Sequence, residues 1–141
     1  MAYLFDTDAI SEVLRPRPLE PYVDWLRGIP RDAQFSSAVT VGELFKGAYR
    51  SAASERHLKN IEERVLPAVT ILPYDLSVAR VFGKVRAELE RAGNVLPDAD
   101  LQIAATALYH NLELVTGNLR HFERIPALRL NEVLARARSG E

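Results

Sequence analysis

The stretch AYLFD, residues 2–6, carries the main indication of fold, because a short apolar run there ends in a carboxylate. A run of this length indicates a buried strand that delivers Asp6 at its carboxyl end. The following residues AISEVLR have helical spacing, and we expect Thr7 and Asp8 to cap that helix. A strand followed by a helix is typical of an α/β fold.

The same alternation continues along the chain. Further strands are predicted at QFSSA, VTIL and LELVT and near Leu128, and apolar residues at helical spacing predict helices between them. The pattern predicts an α/β domain with a central, mostly parallel sheet flanked by helices. No linker or repeat divides residues 1–141, and we expect about 132–141 to be a loose tail.

Composition excludes several classes of protein. With 48% hydrophobic and 26% charged residues, the 141-residue chain is neither disordered nor membrane-embedded. The absence of cysteine excludes thiolate catalysis, and three scattered histidines lack the spacing of a zinc helix motif. A cytoplasmic protein with no membrane partner is expected. A net charge of −1 argues against nucleic-acid binding unless cations neutralise some of the acids.

Four acids stand beside apolar residues, where an isolated carboxylate would be costly to bury: Asp6, Glu43, Asp98 and Asp100. Asp6 and Thr116 both follow strands, and open α/β sheets bind ligands beyond the carboxyl ends of their strands. Asp98 and Asp100 lie two residues apart in one helical turn, so at most one is expected to face a shared centre. Asp100 is the better ligand candidate, and Asp98 the better cap or outer group.

The functional hypothesis is that these acids together bind a cation, which neutralises their charge. Oxygen ligands without cysteine or paired histidine favour Mg²⁺ or Mn²⁺ over zinc. Two such ions, ~3.5–4 Å apart, activate water and stabilise the leaving oxygen of a phosphodiester in known sites. The alternative for Asp6 alone is a helix or turn cap.

Three stretches in order resemble one protein family: LFDTD, SAVTVGELFKGA and GNVLPDADLQIAATALYHNLELVTGNLRHF. With them the chain resembles the PIN-domain ribonucleases, specifically the VapC toxins of type II toxin-antitoxin pairs, from Ala2 to about Asn131. The resemblance implies a single PIN-like domain. It also implies an endoribonuclease that uses Mg²⁺ or Mn²⁺ and a water nucleophile on RNA, with tRNA or rRNA as the expected substrate.

Carried over to this sequence, the resemblance makes Asp6, Glu43 and Asp100 the catalytic and metal-binding acids, with Asp98 an additional nearby acid. Asn118 stands where the family often has a fourth acid, which weakens the case for a second ion. Thr7, Thr116 and Asn118 are supporting candidates.

The resemblance further implies a VapB-like antitoxin that covers an apolar groove and blocks the acidic site. The helix with Tyr22 and Trp25 and the helix with Leu58 and Ile61 are candidate walls of that groove, although both stripes are more simply core. A homodimer is common in the family.

Two other functions fit part of the sequence. YLFDTD has the form of the haloacid-dehalogenase-like phosphatases, in which Asp6 would be the nucleophile and Asp8 the acid. That interpretation leaves Glu43 and Asp100 unexplained. A non-catalytic binding module that merely holds an ion is the second alternative, and RNA cleavage distinguishes it.

Overall fold

A computed structural model describes residues 1–140, in which five strands and eight helices alternate. The strands are β1 (Tyr3–Phe5), β2 (Gln34–Ser37), β3 (Thr70–Leu72), β4 (Glu113–Val115) and β5 (Leu130–Asn131). The helices are α1 (Thr7–Val13), α2 (Glu20–Arg27), α3 (Ala38–Arg50), α4 (Ser54–Asn60, continued by a π-helical turn at Ile61–Val65), α5 (Leu76–Arg91), α6 (Asp98–Tyr109), α7 (Leu119–Phe122) and α8 (Val133–Ser139). Across residues 1–140, no helix has both the length and the apolar character needed to cross a membrane.

The strands form one parallel sheet in the order β3-β2-β1-β4-β5, which confirms the predicted α/β architecture. β1 lies at the centre, with Leu4 opposite Leu114 and Phe5 opposite Val115 on β4. Because all strands run in one direction, the residues that follow β1, β2 and β4 emerge at the same edge. The order of the sheet therefore brings Asp6 close to the loop after β4.

Helices cover both faces of the sheet, because successive strand residues point to opposite sides. Leu4 and Leu114 contribute to the core cluster under α5 and α6. Phe5 and Val115 contribute to the other cluster, under α1, α2 and α3. All four side chains are at most 3% exposed. Burial on both faces explains why the strands read as short continuous apolar runs.

The end of the chain differs from the prediction. Helix α7 follows the turn at Gly117 and Asn118, and the last strand lies at Leu130–Asn131 rather than near Leu128. The expectation of a loose tail is wrong for residues 133–139, which form α8 and pack against α2. Leu134 is fully buried there. One buried leucine, with the partly buried Val133 and Ala137, leaves too weak a periodic signal among the arginines to predict a docked helix.

The cap of α1 also differs from the prediction. Asp6, rather than Thr7 or Asp8, is its N-cap, with extended backbone angles of φ −78° and ψ 178°. Thr7 is already helical, so its side chain cannot act as the cap that precedes the first turn. The carboxylate that ends β1 therefore also begins α1.

Candidate active site

A cavity of about 550 Å³ opens at the carboxyl edge of β1 and β4. It is lined by residues from five separate parts of the chain: Asp6, Thr7, Asp8, Ser11, Glu43, Asp100, Ile103, Gly117, Asn118, Phe122 and Arg138. The three predicted catalytic acids, one directly after β1 and the others on α3 and α6, therefore share one cavity.

Asp6 is the most deeply buried of these acids, at 5% exposure. Its Oδ1 atom accepts a hydrogen bond from the Ala9 N–H at 2.8 Å. Burial raises the pKa of Asp6 from 3.8 to about 7, against the opposing effect of hydrogen bonds from Thr116 and Ala9. The negative charges of Asp8 and Asp100 raise this pKa further. The hydrogen bonds to Asp6 therefore only partly offset the cost of holding its negative charge in this buried position.

Glu43 reaches the cavity from α3, which Ser37 caps by accepting a hydrogen bond from the Thr40 N–H at 3.0 Å. The hydroxyl of Thr7 donates a hydrogen bond to the Glu43 carboxylate. Leu44 and Ala48 on the same helix are buried and fix its orientation. Thr7 therefore links the segment after β1 to the acid on α3.

Asp100 lies in the first turn of α6, where its Oδ2 atom is 3.1 Å from Nδ1 of His121 on α7. Asp98, two residues earlier, contacts a different side chain: Arg86 Nη1 is 2.7 Å from Asp98 Oδ1. Asp98 is absent from the cavity lining, and α6 has no side-chain N-cap. The predicted roles of Asp98 as a cap or nearby acid therefore find no support, because the rotation of α6 turns it toward α5.

Two of the three supporting residues, Thr116 and Asn118, lie on the loop after β4. Thr116 is fully buried and accepts a hydrogen bond from the Asn118 N–H at 3.0 Å. Asn118 is exposed at the rim and lines the cavity. Both side chains stand beside the acids without contributing negative charge.

The donor chemistry of the cavity fits a hard cation, since its candidate ligands are carboxylate oxygens. Among residues 1–140, no lysine or arginine forms an ion pair with Asp6, Glu43 or Asp100. The same part of the chain contains no group of three or more acidic, histidine or cysteine side chains at coordinating distances. Each acid instead has its own hydrogen-bonding partner. The ligands are thus gathered into one cavity but not preassembled around one point.

An arginine at the rim is the feature that the sequence did not reveal. Arg138 on α8 forms ion pairs with Asp8 and with the buried Glu12. Hydrogen bonds to Asp8 raise the pKa of Arg138 above its ordinary value. Asp8 and Arg138 are 130 residues apart, so no local spacing could have indicated the pair.

The family model that describes the PIN domain matches residues 3–128. The chain belongs to the PIN-domain family. Ribonuclease VapC2 of Haemophilus influenzae is 38% identical to this PIN domain over 129 residues, which cover 92% of the chain and 96% of the relative. The tRNA(fMet)-specific endonuclease VapC of Salmonella typhimurium is 41% identical over 96 residues, 68% of the chain and 72% of the relative. The structure of DNA-bound VapBC from Salmonella typhimurium matches with a TM-score of 0.86 at 33% identity, covering 93% of this chain and 97% of that one.

These relatives confirm the resemblance to VapC and identify the PIN domain as a nuclease of the hydrolase class. The phosphatase alternative fits poorly. It requires Asp8 to donate a proton, whereas both oxygens of Asp8 accept hydrogen bonds from the Arg138 guanidinium. Both Asp8 oxygens are therefore already occupied by the contact with Arg138.

Proposed function

We propose that this PIN domain is the toxin of a type II toxin-antitoxin pair and that it cleaves RNA as a Mg²⁺- or Mn²⁺-dependent endoribonuclease. One observation carries the metal dependence: Asp6, Glu43 and Asp100 line a single cavity at the ligand-binding edge of the sheet. Within residues 1–140 no lysine or arginine forms an ion pair with these three acids.

A divalent cation bound at these acids would lower the pKa of a water molecule and offset charge developing on the phosphate. The residues of the chain orient the acids. Asp6 is fixed by the Ala9 N–H, Glu43 by the Thr7 hydroxyl, and Asp100 by the His121 ring. Water is the proposed nucleophile, because the chain has no cysteine and the histidine at the cavity contacts Asp100 rather than a serine.

RNA is the proposed substrate, and tRNA is the first RNA to test because a relative is named a tRNA(fMet)-specific endonuclease. The purified chain is incubated with initiator tRNA, total tRNA or ribosomal RNA fragments in Mg²⁺, Mn²⁺ or EDTA. We expect discrete cleavage products only with metal, and none from Asp6→Asn. Cleavage that persists under complete chelation would contradict the metal dependence. A folded protein that binds Mg²⁺ and cleaves none of these RNAs would favour the non-catalytic binding module.

The proposed partner is a VapB-like antitoxin, since the chain resembles toxins solved in VapBC complexes. A second groove, of about 390 Å³, shares Thr7, Ser11 and Glu43 with the acidic cavity and continues between α1, α3 and α4. Tyr22 is fully buried and offers no surface to this partner. We propose that the antitoxin occupies the second groove and reaches the acids from it, in the cytoplasm where the RNA substrates are.

Gly47 allows a direct test of this partner. It lines the second groove, and a Cβ added there would meet no atom within 4 Å. We therefore expect Gly47→Arg to fold normally and to weaken antitoxin binding measured by calorimetry. Unchanged affinity would exclude this groove as the antitoxin site.

A homodimer also remains a prediction, and sedimentation equilibrium of the chain alone tests it.

A further inference from the structure

Arg138 reaches from α8 to the rim of the acidic cavity. Its Nη1 atom lies 2.7 Å from Asp8 Oδ2, and its Nη2 atom lies 2.9 Å from Asp8 Oδ1. This bidentate arrangement is the strongest geometry that an arginine and a carboxylate can adopt. The last helix is thereby joined to the segment that directly follows β1.

A buried acid fixes the guanidinium from a second side. Nη2 of Arg138 also donates to Glu12 Oε1 at 3.0 Å, and the Glu12 side chain is 0% exposed. The other charged partner of Glu12 is Arg15, which is farther away at 3.4 Å and 63% exposed. A buried carboxylate requires a close cation to offset its desolvation. Glu12 thus anchors Arg138 in the position from which it contacts Asp8.

The loop after β4 is packed directly against this ion pair. The Gly117 N–H donates to Asp8 Oδ2 at 3.2 Å. A Cβ added at Gly117 would lie 2.2 Å from Arg138 Nη1 and 2.5 Å from Asp8 Oδ2. The absence of a side chain at this position therefore makes the close approach of the guanidinium sterically feasible.

The same loop forms the wall of the cavity next to Asp6. The Asp6 N–H donates to the carbonyl of Val115, directly before this loop, at 3.2 Å, and Asn118 donates its N–H to the Thr116 hydroxyl. A continuous set of contacts therefore runs from Arg138 through Asp8 and Gly117 to the loop that borders Asp6. Hydrogen-bonded groups behind metal ligands typically orient those ligands.

We propose that Arg138 is a positioning residue of the active site, which acts through Asp8 and Gly117 to hold the loop 116–118 against Asp6. Its effect on cleavage rests on the proposed function, whereas its effect on the loop does not. The docking of α8 is a separate matter, because Leu134 supplies the buried apolar anchor of that helix.

The primary experiment compares Arg138→Gln with Arg136→Gln. Both remove one positive charge from α8, but within residues 1–140 the only ion pair of Arg136 is with the exposed Glu132, the N-cap of that helix. Amide hydrogen exchange is measured by NMR in metal-free protein. We expect exchange at Gly117 and Asn118 to accelerate by about tenfold or more in Arg138→Gln, and to stay at the wild-type rate in Arg136→Gln. Equal exchange at these amides in the two variants would overturn the proposal.

RNA cleavage provides the second measurement. For Arg138→Gln we expect kcat to fall roughly 10–100-fold, with a smaller change in KM, and Arg136→Gln to match the wild type. Arg138→Lys should recover part of kcat through a single charged contact with Asp8. If the wild type cleaves no RNA, the proposed function fails, while the amide exchange still decides the role of Arg138. A lower melting temperature with unchanged kcat and unchanged exchange would show that Arg138 only attaches α8.

Steric coupling between Gly117 and Arg138 gives a third measurement. Gly117→Ala alone should displace the guanidinium and lower both the melting temperature and kcat. In an Arg138→Ala background the clash with the guanidinium is gone, and Asp8, which Arg138 no longer holds, can move away from the added methyl group, so the same substitution should have a smaller effect. Additive effects in this double-mutant cycle would contradict the contact on which the proposal depends.

Discussion

The Oδ1 atom of Asp6 accepts a hydrogen bond from the Ala9 N–H at 2.8 Å, so one carboxylate ends β1, caps α1 and lines the acidic cavity. Capping and metal binding are therefore compatible in Asp6 rather than alternatives. An N-cap uses one acceptor, and an ionised carboxylate has two oxygens with several lone pairs. The two functions can be separated by substitution, because asparagine caps a helix about as well as aspartate.

Asp6→Asn should abolish RNA cleavage while leaving α1 capped. Asp6→Ala should abolish cleavage too, and should also lower the free energy of unfolding by about 0.5–2 kcal/mol through loss of the cap. Urea denaturation of both variants in EDTA measures the difference. Full cleavage activity in a folded Asp6→Asn protein would show that Asp6 is only a cap.

The stability of the metal-free protein should decrease between about pH 4 and pH 7. Burial raises the pKa of Asp6 from 3.8 to about 7, so the folded state retains a proton that the unfolded state has lost. The folded state is relatively favoured below the unfolded pKa, and this benefit is lost as pH rises through the folded value, at up to about 1.4 kcal/mol per pH unit. Denaturation of wild type and Asp6→Asn over this range tests the sign. The difference in the free energy of unfolding between the two proteins should shrink toward pH 4. If the two plots of this free energy against pH are parallel, the raised pKa of Asp6 is contradicted.

Mg²⁺ should stabilise the wild type, and Asp98 and Asp100 provide a matched pair for testing where it binds. Asp100 lines the cavity, whereas Asp98 is paired with Arg86 outside it. Asp100→Asn should remove most of the Mg²⁺-induced increase in melting temperature and relieve growth arrest on expression. Asp98→Asn should retain both the increase and the toxicity. The reverse pattern would assign the ligand role to Asp98.

Leu134→Ala should destabilise the protein by about 2–5 kcal/mol, the usual cost of truncating a fully buried leucine. Leu134 is 0% exposed where α8 meets the core. Chemical denaturation followed by circular dichroism measures this cost, and Val133→Ala on the same helix, only partly buried, is the control. A change below about 0.5 kcal/mol, typical of surface positions, would indicate that α8 is not docked in solution.

The agreement between sequence and structure is strongest where the signal is local. β1 is a three-residue apolar strand followed by Asp6, and β4 is its counterpart before Thr116. The parallel sheet then brings the two strand ends together. Glu43 was predictable as well, because helical periodicity alone puts it beside the buried Leu44 and Ala48.

The amino-acid sequence by itself thus determined the α/β class and singled out Asp6, Glu43 and Asp100, three of the four acids that line the cavity, since strand and helix periods are encoded in neighbouring residues. Only the tertiary structure showed that Asp98 is paired with Arg86 outside the cavity, because the packing of α6 on α5 sets which side of the first turn faces the cavity. It alone also joined Arg138 to Asp8. A contact between side chains 130 residues apart depends on how α8 docks, and chain folding rather than spacing creates it.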